Sequence, residues 1–139
     1  MAIPEGLNGT NGKAWVRATR ARIGLAQGDV AELVHVTPDM VKKWESEKYP
    51  DAAPSLRVVE LLDGLLEEHR EHVADLVSKH KGEKRVTLTY LRILEFPDDV
   101  GKVDRILHSP SRHDAEVREA AAILEVFGSE VIYAYPSGK

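Results

Sequence analysis

Between Arg20 and Glu45 the chain reads R-A-R-I-G-L-A-Q-G-D-V-A-E-L-V-H-V-T-P-D-M-V-K-K-W-E, and within this run helices must start and stop in quick succession. Gly24 and Leu25 close one helix, and Ala26 and Gln27 open the next. Val30, Ala31, Leu33 and Val34 give that helix an apolar stripe about two turns long. Ala31 is small where two helices must approach closely. His35 stands in a turn that needs left-handed backbone, which histidine tolerates less well than glycine at a modest cost. Thr37 is a good N-cap, Pro38 falls at the first helical position, and Asp39 suits the positive end of the helix dipole. Met40, Val41 and Trp44 are expected to supply the buried side of this last helix, with Lys42 and Lys43 facing outward.

This run resembles the helix-turn-helix of the Cro/C1-type (XRE) repressors, whose pattern is roughly R-x-x-x-G-L-T-Q-x-x-L-A-x-x-L-G-V-S-x-x-x-I-x-x-W-E. The resemblance covers about residues 13–66. It implies a sequence-specific regulator of double-stranded DNA, not an enzyme, with the second short helix entering the major groove. Position by position, Gln27 would bond a phosphate and set the docking register. Thr37, Pro38, Asp39, Lys42 and Lys43 would meet base edges and flanking phosphates. Arg20 and Glu45 match a partly buried ion pair that ties the first helix to the third, a structural role. Arg17 and Lys48 would join Lys42 and Lys43 in one basic face. The chain departs from the pattern at His35, at Glu47 (where glycine is common), and at Pro38 and Asp39, which replace the usual polar residues. Asp39 would accept from a cytosine amino group but repel phosphate.

Charge must be weighed locally. Residues 1–49 hold seven Lys and Arg against six Asp and Glu, whereas residues 50–139 hold twelve against seventeen, for a net −4 overall. Nucleic-acid binding therefore rests on a local basic face and should be strongly salt-dependent. The 139 residues suffice for one domain or two small ones. No apolar stretch approaches the ~20 residues that span a bilayer, and the N-terminus lacks the regions of a signal peptide. The absence of cysteine excludes disulfides and thiolate metal sites and fits a reducing cytoplasm, the expected location.

Along the chain, residues 1–12 read as a flexible arm. Gly6, Gly9, Gly12 and Lys13 only faintly suggest a phosphate loop: the spacing is wrong, no strand precedes it, and Ala14 replaces the magnesium-binding hydroxyl. Asn11 would cap a first helix with an apolar face of Trp15, Val16, Thr19 and Ile23. After a two-proline loop, Ser55 caps a long helix reaching about His80, broad and apolar at first through Leu56, Val58, Val59, Leu61, Leu62, Leu65 and Leu66. Its second half narrows to a seam of Val59, Leu62, Leu66, His69, Val73, Leu76 and His80, with a 3.5-residue period, to be covered by the C-terminal segment or by the same helix of a second chain. Gly64 would permit a bend. His69 and His72 lie among Glu67, Glu68 and Glu71, a pattern better explained by a solvated or interfacial face than by a metal site; no metal or other cofactor is expected.

Residues 86–93 read as a strand, Pro97–Leu107 as a short helix, Arg112–Phe127 as a clear helix with Val117, Ala120, Ala121, Leu124 and Phe127 inward, and Val131–Tyr135 as a second strand. The expected fold is α+β and mostly helical. A five-helix HTH bundle, with a long fourth/fifth helix, fills residues 13–80, and a small β-α-α-β dimerisation unit fills residues 81–139. Two strands make too small a sheet to stand alone, so pairing with a second copy is expected. Leu66, His69, Val73, Leu76, Tyr90 and Tyr133 are its candidate interface. The function expected is a homodimeric transcriptional regulator of prokaryotic or phage type, a repressor or autoregulator on a palindromic operator. An antitoxin or another HTH-containing module that binds a protein partner is the alternative. Less favoured is a sensor or enzyme whose pocket is lined by Tyr90, Arg92, His108 and His113.

Overall fold

The computed structural model describes residues 9–91 and 99–136, in the order α1 (Gly9–Arg22), α2 (Gln27–Val34), α3 (Pro38–Glu45), α4 (Leu56–His80), β1 (Arg85–Thr89), α5 (Lys102–Leu107), α6 (Pro110–Val126) and β2 (Glu130–Ala134). The described chain is mostly helical with one two-stranded sheet, an α+β fold. No helix among the described residues is long and apolar enough to cross a membrane. Two compact units divide between Glu67 and Glu68, inside α4, whereas the sequence pattern had suggested a division after His80.

In the first unit, Val16, Ile23, Val30, Ala31, Val34, Val41, Trp44, Val58 and Leu62 are buried, so each helix turns one apolar stripe inward. Among the described residues four helices supply it in place of the expected five, because α4 runs unbroken through Gly64, around which a β-carbon would meet nothing. Of the expected N-terminal arm, residues 1–8 lie outside the described residues and residues 9–12 belong to α1, so Asn11 sits within the helix it was expected to cap. Ser55 does cap α4, its Oγ accepting from Val58 N at 3.2 Å. Leu56, expected inside, is 54% exposed.

In the second unit, β1 and β2 pair in parallel, Val86 beside Val131 and Leu88 beside Tyr133. A parallel pair needs a crossover, and α5 and α6 provide it. Val86 and Leu88 meet Val117, Ala121 and Leu124 of α6 in a small core, with Leu76, Val77, Tyr90 and Val131 against it. Alternation along β1 puts Arg85, Thr87 and Thr89 on the opposite, exposed face. Ser109 caps α6, accepting from Arg112 N at 3.3 Å, and Pro110 takes the first helical position. α6 therefore starts two residues before the expected Arg112. Gly128, at φ 96°, ends it with Ser129 N donating to Leu124 O at 3.0 Å. Phe127 follows that last turn and is 71% exposed, not inward. Residues 92–98, which include the end of the expected first strand and Pro97, lie outside the described residues.

The expected dimer seam is largely covered within the chain. Leu66, His69 and Val73 are buried. His69 Nε2 donates to Glu119 Oε1 of α6 at 3.1 Å, and His72 Nδ1 to Glu116 Oε2 at 2.7 Å. The histidine face read as solvated or interfacial thus supplies, through His69, a buried anchor between α4 and α6. Leu76 packs against the small core, and Tyr90 meets Tyr133 edge to face with ring centroids 5.3 Å apart. Of the six candidate interface residues, Tyr133 alone is counted as exposed.

Candidate nucleic-acid interface

The short helices are joined by three residues whose chemistry is local. His35 adopts φ 60°, ψ 48°, the left-handed turn expected of it, and its N–H donates to Ala31 O. Val36 N bonds the same carbonyl at 3.0 Å. Thr37 then caps α3, its Oγ1 accepting from Met40 N at 3.2 Å, with Pro38 at the first helical position. At the start of α2, Asp29 reaches back to accept from Ala26 N at 2.9 Å, the acidic half of a capping box.

Three buried contacts hold these helices in place. Arg20 grips Glu45 through Nε to Oε2 at 2.7 Å and Nη2 to Oε1 at 2.9 Å, a two-pronged ion pair with directional bonds. The bonded carboxylate pushes the Arg20 guanidinium above its ordinary range, against the lowering effect of burial. Gln27 Nε2 donates to the same Glu45 Oε1 at 3.1 Å, so its amide supports the ion pair. Lys13, buried, donates to Lys43 O at 2.8 Å and Ala52 O at 2.7 Å, fastening the last turn of α3 and the following loop to α1. Nothing in the rejected phosphate-loop pattern pointed to that role; the signal available was a lysine at the i−3 position from Val16 on the buried stripe.

Over this framework lies an open groove of about 830 Å³. Arg17 of α1, Gln27 of α2, Lys42 of α3 and Lys48 of the following loop all line it, with Lys13, Arg20, Glu45 and Glu47. Four of the eight expected DNA-contacting residues thus share one surface, and Arg17, Lys42 and Lys48 are exposed. Glu47 brings a carboxylate to the same groove. Thr37, Pro38 and Asp39 are exposed at the first turn of α3 and do not line it. Lys43 is half-buried, its ammonium 3.3 Å from Asp39 Oδ2 and 5.5 Å from the ring centroid of Tyr49. It lines a second recess, of about 430 Å³, with Met40, Lys48, Tyr49 and Pro50.

Met40 corrects an expectation: it is 40% exposed, because α3 buries Val41, Trp44 and Glu45, and residue 40 falls outside that stripe. Tyr49, also exposed, was not singled out from the sequence. In the second unit, the described residues considered for a pocket stand just after β1 (Tyr90), just after α5 (His108) and in α6 (His113). His113 Nε2 donates to Thr89 O at 3.1 Å, Tyr90 packs on Tyr133, His108 is exposed after α5, and Arg92 lies outside the described residues. Among the described residues there is no cluster of three or more His, Cys, Asp and Glu placed to hold a metal ion. No family model, curated protein or solved structure matches this chain.

Proposed function

We propose that this chain is a sequence-specific DNA-binding transcriptional regulator, a cytoplasmic repressor or autoregulator that acts as a homodimer on a palindromic operator. α2 and α3 form a helix-turn-helix, with α3 as the helix that enters the major groove. The observation that carries the reading is the groove in which Arg17, Gln27, Lys42 and Lys48 come together from four segments of chain. Such a surface suits the sugar–phosphate backbone, and the exposed first turn of α3 beside it is available to base edges. The second unit serves self-association. The two strands among its described residues fall short of the usual sheet size, and β2 carries exposed Ile132 and Tyr133 that a second copy would cover.

The test is selection from random duplex DNA at physiological salt, followed by sequencing of the bound pool. A palindromic motif with half-sites about one helical turn apart is expected. Sequence-blind binding, or none, would overturn the reading and direct the search to a protein partner.

A further inference from the structure

We infer that the first turn of α3 selects thymine through its 5-methyl group, with Met40 as the specificity-determining residue; this rests on the DNA-binding reading above. Met40 is a large apolar side chain left 40% exposed on a helix of eight residues. It stands three positions from both Thr37 and Lys43, and so shares their side of the helix.

What this turn offers a base pair is narrow. Thr37 Oγ1 accepts from Met40 N, so the helix's own backbone takes one lone pair and leaves the small O–H as its donor. Pro38 presents a ring and has no N–H. Asp39 presents a carboxylate 3.3 Å from Lys43 Nζ. No arginine, asparagine or glutamine stands in the turn to make the two-pronged contacts that read guanine or adenine. The means of discrimination left to Met40 is apolar contact, and the thymine methyl is the apolar mark of the major groove. The unbranched thioether adapts readily to such a group. Met40 also lines the recess that holds Tyr49, Lys43, Lys48 and Asp51, where an aromatic ring and two ammonium groups stand with one carboxylate.

The experiment uses the full chain and its selected duplex, with thymines replaced one at a time by deoxyuridine, which lacks only the methyl group. At one thymine per half-site the unsubstituted protein should lose about fourfold in affinity. Met40→Ala should bind more weakly and ignore the replacement there, and Met40→Gln should move the preference towards adenine. Because deoxyuridine changes only the DNA, the folding of a variant does not enter its result. If every deoxyuridine duplex binds as well as its parent, or Met40→Ala keeps the same penalty, the inference is overturned. An unsubstituted chain that enriches no motif overturns the DNA-binding reading as well, which separates the two failures.

Discussion

The ammonium of Lys13 donates to the main-chain carbonyl of Lys43 at 2.8 Å from a position only 2% exposed to solvent. The carbonyl belongs to the last turn of α3, at the negative end of its dipole, so the cation and the helix end satisfy one another. Lys13→Met keeps much of the apolar stem but removes both hydrogen bonds and the charge. It should cost about 3 kcal/mol of stability, read from the urea-unfolding midpoint at constant slope. A loss under about 0.5 kcal/mol would show that the contact contributes little beyond packing.

Removing one partner of the Arg20–Glu45 pair should be more damaging than losing a surface ion pair, because the Glu45 side chain is 4% exposed. Glu45→Ala strands both Arg20 and Gln27, and a loss of about 3 kcal/mol is expected. The sign of the pH dependence follows from Arg20. Its folded-state pKa is raised, so its contribution is complete below the unfolded-state value and disappears only as pH rises through the higher folded one. The stability difference between the parent chain and Glu45→Ala should therefore stay constant from about pH 7 to about pH 10. A difference that shrinks across that range would argue against this account.

His35 holds a left-handed conformation without being glycine. His35→Gly should relieve that cost and raise stability by about 0.5–1 kcal/mol, despite the greater freedom glycine has when unfolded. Thermal melting decides it, and a lowered midpoint would mean the imidazole makes a compensating contact.

Groove cations should reveal themselves through salt. Arg17→Ala, Lys42→Ala and Lys48→Ala should each weaken duplex binding and reduce the slope of log affinity against log salt by about 1. Lys13→Met, whose ammonium is held by carbonyls, should leave that slope alone. Equal slopes in all four variants would remove the groove from the DNA contact.

Tyr133 should ionise above the ordinary tyrosine range, first because of burial and then because of the nearby Tyr90 and Glu125. Its neutral form is favoured in the fold, so this contribution is present below the unfolded-state value and lost as pH rises through the folded one. Tyr90→Phe should bring the Tyr133 ionisation down, observed as an earlier rise in phenolate absorbance. No change would show that burial and Glu125 set the shift without Tyr90.

Much of the first unit was legible because its signals act within a turn. Thr37, Pro38 and His35 each do locally what their chemistry suggests, and Arg20 with Glu45 follows the resemblance of the whole run. The basic groove was legible only in part. Arg17, Lys42 and Lys48 share it, but Gln27 is turned to Glu45 and Lys43 faces a separate recess. Residue spacing ranks side chains around one helix; it does not tell which neighbouring carboxylate or carbonyl will take them up.

The seam on α4 makes the same point. Leu66, His69 and Val73 carry a pairing period, and the sequence could not distinguish a second copy from a helix further along the same chain. By itself the sequence determined the helix ends at His35, Thr37 and Ser55, since caps, prolines and left-handed turns draw their energy from neighbours a few residues away. Only the tertiary structure decided that His69 meets Glu119 fifty positions on, that β1 and β2 run parallel, and that Met40 is left facing outward. Those outcomes depend on which distant surface covers a face, and burial acts between segments with no directional code in the chain.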